Sequence, residues 1–444
     1  MRTAALLTLV ISFTLLPQER LVQSGPMVGY SEMREVALWI QTTRAVNASF
    51  RYWATSDPTR VYTTASARTI KRDAFATTIV ADSVQPGERY EYEVVIDGET
   101  VAFEYPLEFQ TPPLWRWRGD PPEFTVATGS CAFINEAKYD RAGEPYGGEY
   151  RIFRAVAARN PDLMIWLGDN VYFREADWNT RTGMLHRYTH GRSIEEMQAL
   201  LASTHHYAIW DDHDFGPNNG DRSFWNKREA LDVFKTFWAN PSYGVGETEG
   251  AITTFSWGDV DFFLLDNRYH RSPQHRRHVE RTVLGEEQFQ WLIDALVFSD
   301  ATFKVVAMGG QFLNPLPIFE NYAVYPEERA RLLSELEKER VEGVVFLTGD
   351  RHHTEITRLD RGESYPLHDV TISPFTSGHR DTITEPNYLR IEETLVAKRN
   401  FGLLAFKGGE DDRRLVVSCY DSDNERLWEY EIPAADLRYP SRER

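Results

Sequence analysis

Beyond residue 122 the chain repeatedly lays down a short apolar strand and closes it with thiol, acid or imidazole side chains. The runs at 124–130, 162–168, 206–211 and 343–349 are too short for ordinary helices and read as buried strands. Segments with helical spacing fall between and after them, at 150–159, 194–204, 224–238, 286–298 and 327–340, with further strands at 251–257, 260–266 and 303–308. Strands alternating with helices predict a layered α/β domain. Domains of that kind gather their chemistry where strands end.

Upstream the pattern differs. Strand-like runs at 36–43, 49–54, 60–67, 75–80, 89–96 and 101–109 show little helical period and predict an antiparallel β-sandwich. The alternation in 89–96 followed by Asp97-Gly98 is a hairpin signature. Residues 111–122 carry four prolines and two tryptophans and mark a boundary. From His368 onward the chain returns mostly to strands, ending at 427–432. At the start, Arg2, an apolar run from Ala4 to Leu16, and the break Pro17-Gln18-Glu19-Arg20 have the layout of a secretory leader. The expected division is a leader at 1–22, a sandwich at 23–112 and a catalytic domain at 123–436. Export to the periplasm or beyond follows, without a twin-arginine pair, and no second apolar run is long enough to span a membrane.

The 444 residues carry 49 basic and 67 acidic side chains, a net charge of −18, with 42% hydrophobic residues. Collagenous, disordered and disulfide-scaffold classes are excluded on these figures. A negative surface repels phosphate backbones and anionic lipid headgroups, so no stable nucleic-acid partner is expected and an anionic substrate needs cations to be held. Cys131 and Cys419 could form one disulfide, but they sit in different contexts: Cys419 reads as core, Cys131 as part of a cluster.

Four clusters carry the chemistry: Gly129-Ser130-Cys131; Gly168-Asp169-Asn170-Val171-Tyr172; Asp211-Asp212-His213-Asp214; and Gly349-Asp350-Arg351-His352-His353. Three carboxylates and an imidazole in consecutive positions repel one another unless cations or basic groups stand nearby. Asp350 and His352, in alternate positions, can face one side of an extended segment. Oxygen and nitrogen donors suit hard or borderline cations, while a thiolate and a phenolate favour ferric iron or zinc, so two metals fit this donor set better than one. A metal pair would neutralise phosphate oxygens and generate a hydroxide at neutral pH.

The order of these motifs resembles the calcineurin-like metallophosphoesterase superfamily, in its alkaline phosphatase D (PhoD-like) branch. Gly129-Ser130-Cys131 stands where Asp-x-His is general, Tyr172 replaces the last aspartate of Gly-Asp-x-x-Asp, Asp211-Asp212-His213-Asp214 replaces Gly-Asn-His-Asp/Glu, and Gly349-Asp350-Arg351-His352 replaces Gly-His-x-His. The stretch from Gln23 to Tyr30 is similar to the opening of the branch's N-terminal domain. The resemblance implies an N-terminal antiparallel sandwich followed by a four-layer αββα domain. It implies that Asp169 bridges two metals, that Cys131, Tyr172 and His352 complete a ferric site, and that Asp212 and Asp350 hold calcium. Zinc, manganese or magnesium are the alternatives. His213 would contact the phosphate and assist the leaving oxygen, Asp214 would orient His213 from behind, and Arg351 joins them as a catalytic candidate. The family's isolated histidine has no counterpart, since Met308-Gly309-Gly310-Gln311 follows the matching strand, leaving Gln311 as a ligand or substrate contact. Asn218 and Asn219 could add an oxygen donor, and His353 is the alternative to His352.

The expected function is hydrolysis of small phosphate esters, mono- or diesters, by a monomer using a metal-bound hydroxide or oxo nucleophile. Two other readings compete: a carbohydrate- or surface-binding protein with a degenerate enzyme domain, and a hydrolase in which Cys131 is the nucleophile. His205 and His206 read as packing or surface histidines and not as ligands. The Arg-rich stretch 268–281 is the one local positive patch, read as a solvated loop or a guide for anions. Arg399-Asn400-Phe401-Gly402 reads as a flank of the site.

Overall fold

The structure, a computed structural model, describes residues 21–440. The expected leader lies outside them apart from Leu21 and Val22. Two large mixed sheets face each other. The first has nine strands in the order Arg426–Pro433, Arg414–Asp421, Asn400–Lys407, Phe124–Gly129, Leu163–Leu167, His205–Ile209, Val22–Ser31, Val36–Thr42 and Ala76–Ala81. The second has seven, in the order Thr253–Trp257, Val260–Leu264, Phe303–Ala307, Val344–Thr348, Ser364–Thr371, Thr354–Arg361 and Arg390–Val396.

Period-two alternation sorts the side chains. Leu163, Ile165 and Leu167 face the second sheet in one apolar core, while Met164 and Trp166 join a separate core under the helices Ile152–Ala157, Arg181–Arg192, Glu195–Ser203 and Lys227–Phe237. On the far side, Glu286–Phe298 and Pro326–Lys338 press Phe289, Leu292, Leu332 and Leu336 onto the second sheet. The result is four layers: helix, sheet, sheet, helix. Parallel pairing of Phe124–Gly129, Leu163–Leu167 and His205–Ile209, and of Val260–Leu264, Phe303–Ala307 and Val344–Thr348, aims several strand ends the same way.

The N-terminal region is β-rich, as expected, but it shares a sheet with the rest. Val22–Ser31 runs parallel to His205–Ile209, with Val28 opposite His205, so three N-terminal strands extend the nine-stranded sheet. Their inner face packs Val36, Leu38 and Ile40 against Phe50, Tyr52, Tyr92 and Phe109 of a third sheet built on Asn47–Ala54 and Arg89–Ile96. The hairpin turn at Asp97-Gly98 is present, with φ of 50° and 92°. The runs at 60–67 and 101–109 shrink to two- and three-residue strands. The helix Arg181–Arg192 was not expected: its buried positions include Arg187, Gly191 and Arg192, which erase the apolar period from which a helix is read.

Candidate metal centre

Each strand that feeds the site must turn sharply as it leaves the sheet. Cys131, Asp169, Asp350 and His352 all take up left-handed backbone, with φ of 62°, 52°, 68° and 54°. Each costs roughly 1–3 kcal/mol in a residue other than glycine, and such conformations cluster at functional sites. Gly168, φ 91°, precedes Asp169 where a Cβ would lie 2.7 Å from the backbone nitrogen of Asp211. The turns are fastened to one another: Ala132 N–H donates to the Asp169 carbonyl (2.8 Å), Phe375 N–H to that of Ser130 (2.8 Å), and Gly349 N–H to that of Gly309 (2.7 Å).

These turns bring the side chains together. Cys131 Sγ lies 3.6 Å from Asp169 Oδ2. Donor atoms of Asp169, Asp212 and His213 all lie within 4.8 Å of one another. His213 donates its backbone N–H to Asp169 Oδ1 (3.2 Å) and lays its ring on Tyr172, with centroids 4.2 Å apart. Tyr172 Oη meets His352 Nε2 at 3.2 Å. Ser373 Oγ donates to Cys131 Sγ (3.3 Å) and Ser377 Oγ to Tyr172 Oη (3.0 Å). Tyr146 Oη lies 3.1 Å from His352 Nδ1.

Burial and mutual repulsion dominate the electrostatics of the cluster. Asp169 is held well above the usual carboxylate range by burial and then by Asp212, Asp211, Asp214 and Asp350. Asp350 is pushed up to about 8 by burial and by Asp211, against the opposing charge of Arg351. Burial also acts on Asp212, but His213, Arg268 and the Asn219 N–H outweigh it and leave this carboxyl below its ordinary value. Burial, with Asp169 behind it, raises both the Cys131 thiol and the Tyr172 phenol. His352 is lowered to about 4 by burial and by His213. Cations bound here would replace these protons and reverse the shifts. Asp169, Asp212 and His213 each offer a donor atom that fits a cation, with a thiol, a phenol and a second imidazole beside them.

Several expected residues do something else. Asp214 does not back His213. Its carboxylate accepts the N–H groups of Asp211 (2.6 Å), Asn170 (3.1 Å) and Asp169 (3.2 Å), which locks two turns together. Arg351 is tied to both oxygens of Glu385 (2.6 Å) and stacks on Phe319, 4.4 Å from its centroid. Gln311 is buried on Glu355 and Thr371, turned into the protein. His353 is fully buried, with Nδ1 3.0 Å from the Arg351 carbonyl and Nε2 3.5 Å from Glu355. Asn219 reaches Asp212 through its backbone N–H (2.5 Å), and Asn218 is exposed.

Arg268 is neither solvated nor a guide. It is completely buried, paired with Asp211 and, at 2.7 and 2.8 Å, with Glu320; only 275–280 form an exposed stretch. His205 and His206 are core and not surface. Arg399 does flank the site, donating to the carbonyls of Thr376 (3.0 Å) and Ser377 (3.1 Å). Both cysteines are free and buried. A nucleophilic thiol needs a depressed pKa, whereas burial and then the charge of Asp169 raise the Cys131 thiol against the opposing hydrogen bond from Ser373. Tyr146, Ser373, Ser377 and Glu320 were missed; hydroxyls in Gly- and Ser-containing loops carry no periodic signal.

Two helix-flanked sheets face to face, with donor groups meeting at their strand ends, define the layered fold class of metallophosphoesterases. A solved structure titled "Structure of PhoD" superposes with a TM-score of 0.74 at 18% identity, over 94% of this chain and 93% of that one. Purple acid phosphatase PPD1 from yellow lupin seeds superposes at 0.68 and 11% identity, over 94% of this chain and 77% of that one. The family described as PhoD-like phosphatase matches residues 126–401, more than half of the chain, and the chain belongs to that family. A domain of unknown function, DUF7800, matches residues 19–114. Alkaline phosphatase D of Bacillus subtilis (strain 168) is 23% identical over 330 residues, which is 63% of this chain and 54% of the relative, about half its length.

Proposed function

We propose that this chain is an exported, metal-dependent hydrolase of small phosphate esters, acting as a monomer. The observation that carries the reading is the meeting of Asp169, Asp212 and His213 within 4.8 Å, beside a thiol, a phenol and a second imidazole. Cys131, Tyr172, His352 and Asp169 would hold ferric iron, and Asp169, Asp212 and Asp350 would hold calcium. Bound there, the cations supply positive charge to the phosphate oxygens and acidify water at neutral pH.

The protein's own part is positioning and proton handling. His213 is only partly buried, anchored below through its N–H on Asp169 and beside Tyr172 through its ring. An imidazole so placed holds a proton beside the departing alcohol oxygen. Asp214 keeps the Asp169 turn and the start of the His213 helix in register. Arg351 acts at one remove, its charge drawing Asp350 toward the ionised form.

Protein purified without added metal, analysed for its elements and assayed on a chromogenic phosphate ester before and after chelation, tests this reading. Metal uptake with chelator-sensitive hydrolysis is expected. A folded chain that binds no metal and hydrolyses nothing under any loading overturns it and favours the binding-protein reading. His213→Ala should cut turnover about 10²–10⁴-fold with metal content unchanged; a loss of metal with it would make His213 a ligand beside Asp169 and Asp212 instead.

A further inference from the structure

We propose that Tyr146 is a positioning residue for His352: its phenol oxygen accepts the Nδ1–H of the imidazole and so turns Nε2 toward Tyr172 and the metal centre. The inference rests on the reading of His352 as a ligand through Nε2. A neutral imidazole carries one proton, and a ring that offers its Nε2 lone pair keeps that proton on Nδ1. Nδ1 needs an acceptor, and the partner on the second nitrogen of a ligating histidine fixes both tautomer and ring angle. In this chain the two ring nitrogens each meet a phenol, Tyr172 at 3.2 Å on Nε2 and Tyr146 at 3.1 Å on Nδ1. The Gly378 carbonyl lies within reach of the same ring.

The fastening of Tyr146 is what distinguishes it from a surface aromatic in chance contact. The residue is 44% exposed, yet its ring is wedged from several sides. Its edge meets Phe133, with centroids 5.0 Å apart. Gly378 lies so close that a Cβ there would stand 2.6 Å from the Tyr146 ring. The backbone is pinned as firmly. Arg399 donates to the Tyr146 carbonyl (3.3 Å), Asn135 brackets Gly147 with bonds of 2.9 and 2.7 Å, and Gly148 N–H donates to the Thr376 carbonyl (2.9 Å). Thr376 N–H also donates to the Cys131 carbonyl (3.3 Å), and Arg399 donates to the carbonyl of Ser377 (3.1 Å), whose hydroxyl meets Tyr172, so the loop at 144–149 is tied to the segments that hold the thiol and the phenol.

Tyr146→Phe keeps the ring and its packing and removes only the oxygen. Metal retention against a graded chelator should fall about tenfold, within the 10–100-fold typical of partners behind a ligand. In a His352→Ala background the same substitution should cause no further loss, because its action passes through that ring. Gly378→Ala, which displaces the ring with the phenol intact, should reproduce the fall, while metal-free Tyr146→Phe and wild-type proteins melt together. Unchanged retention in Tyr146→Phe, an equal loss in the His352→Ala background, or a matching drop in metal-free melting temperature would each overturn the inference. Wild-type protein that takes up no metal would overturn the metal reading as well. A wild type that loads normally beside an unaffected Tyr146→Phe overturns this inference alone.

Discussion

The two sides of the strand-end cluster are supported by different chemistry. Cys131, Tyr172 and His352 lean on neutral hydroxyls: Ser373, Ser377 and Tyr146. Asp211, Asp212 and Asp214 lean on charge and on backbone amides: buried Arg268 with its partner Glu320, the Asn219 N–H, and the amides of Asp169, Asn170 and Asp211. A thiol or phenol is neutral while protonated, so burying it costs little once one hydrogen bond is made. A buried carboxylate costs several kcal/mol unless it is paired or showered with donors. Asp169 stands where the two kinds of support meet and depends on both.

Asp169→Asn breaks the comparison at its seam. Both sides should lose metal by more than the ~100-fold upper figure for outer partners, with turnover lost alongside, as elemental analysis and ester assay would record. Loss from one side only would remove the bridging role. Arg268→Leu attacks the charged side by leaving Asp211 and Glu320 buried without their partner. About 3–5 kcal/mol of folding stability should go, and a change under 1 kcal/mol in denaturant unfolding would show that this side does not depend on charge.

The pH response of metal-free protein comes next in size. Asp350 binds its proton up to about pH 8 in the folded chain against an ordinary value of 3.8, through burial and the repulsion of Asp211. The folded state therefore holds the extra proton, and the stability this confers is lost as pH rises through 8. Between pH 6.5 and 8 the metal-free melting temperature should fall by roughly a few degrees. With cations in place of the protons the fall should vanish; a fall that persists in loaded protein counts against the fit. The smallest effect belongs to the neutral side. Ser377→Ala should weaken retention at the Cys131 and Tyr172 side about tenfold and leave the other metal alone, as elemental analysis after mild chelation would resolve.

Legibility followed how local each signal is. The strand Arg89–Ile96 and the helix Glu286–Phe298 match their expected limits, because a period of two or of 3.6 survives without help from the rest of the fold. The helix Arg181–Arg192 hid because it buries arginines against distant partners, among them Asp177 and Glu136 for Arg187. The continuous nine-stranded sheet hid because pairing Val28 with His205 joins residues far apart in sequence. Within the site, Cys131, Asp169, Tyr172, Asp212, His213, Asp350 and His352 were expected from the sequence because each stands within a few residues of a strand end, and of these the structure gathers Asp169, Asp212 and His213 within 4.8 Å. Tyr146, Ser373 and Ser377 were not, because a hydroxyl in a loop looks the same whether it faces water or a ligand.

The sequence alone determined which donors exist and that each follows a buried strand, since residue type and apolar period are written locally. Tertiary structure decided which partners each of two adjacent histidines meets. His352 turns outward on left-handed backbone to meet Tyr172 and Tyr146, while His353 turns inward to Glu355. It also decided that Asp214 spends its carboxylate on backbone amides and that Arg268 is buried as a counter-charge. Those outcomes depend on which groups arrive from elsewhere to satisfy a buried charge or an open lone pair, and no local pattern encodes that arrival.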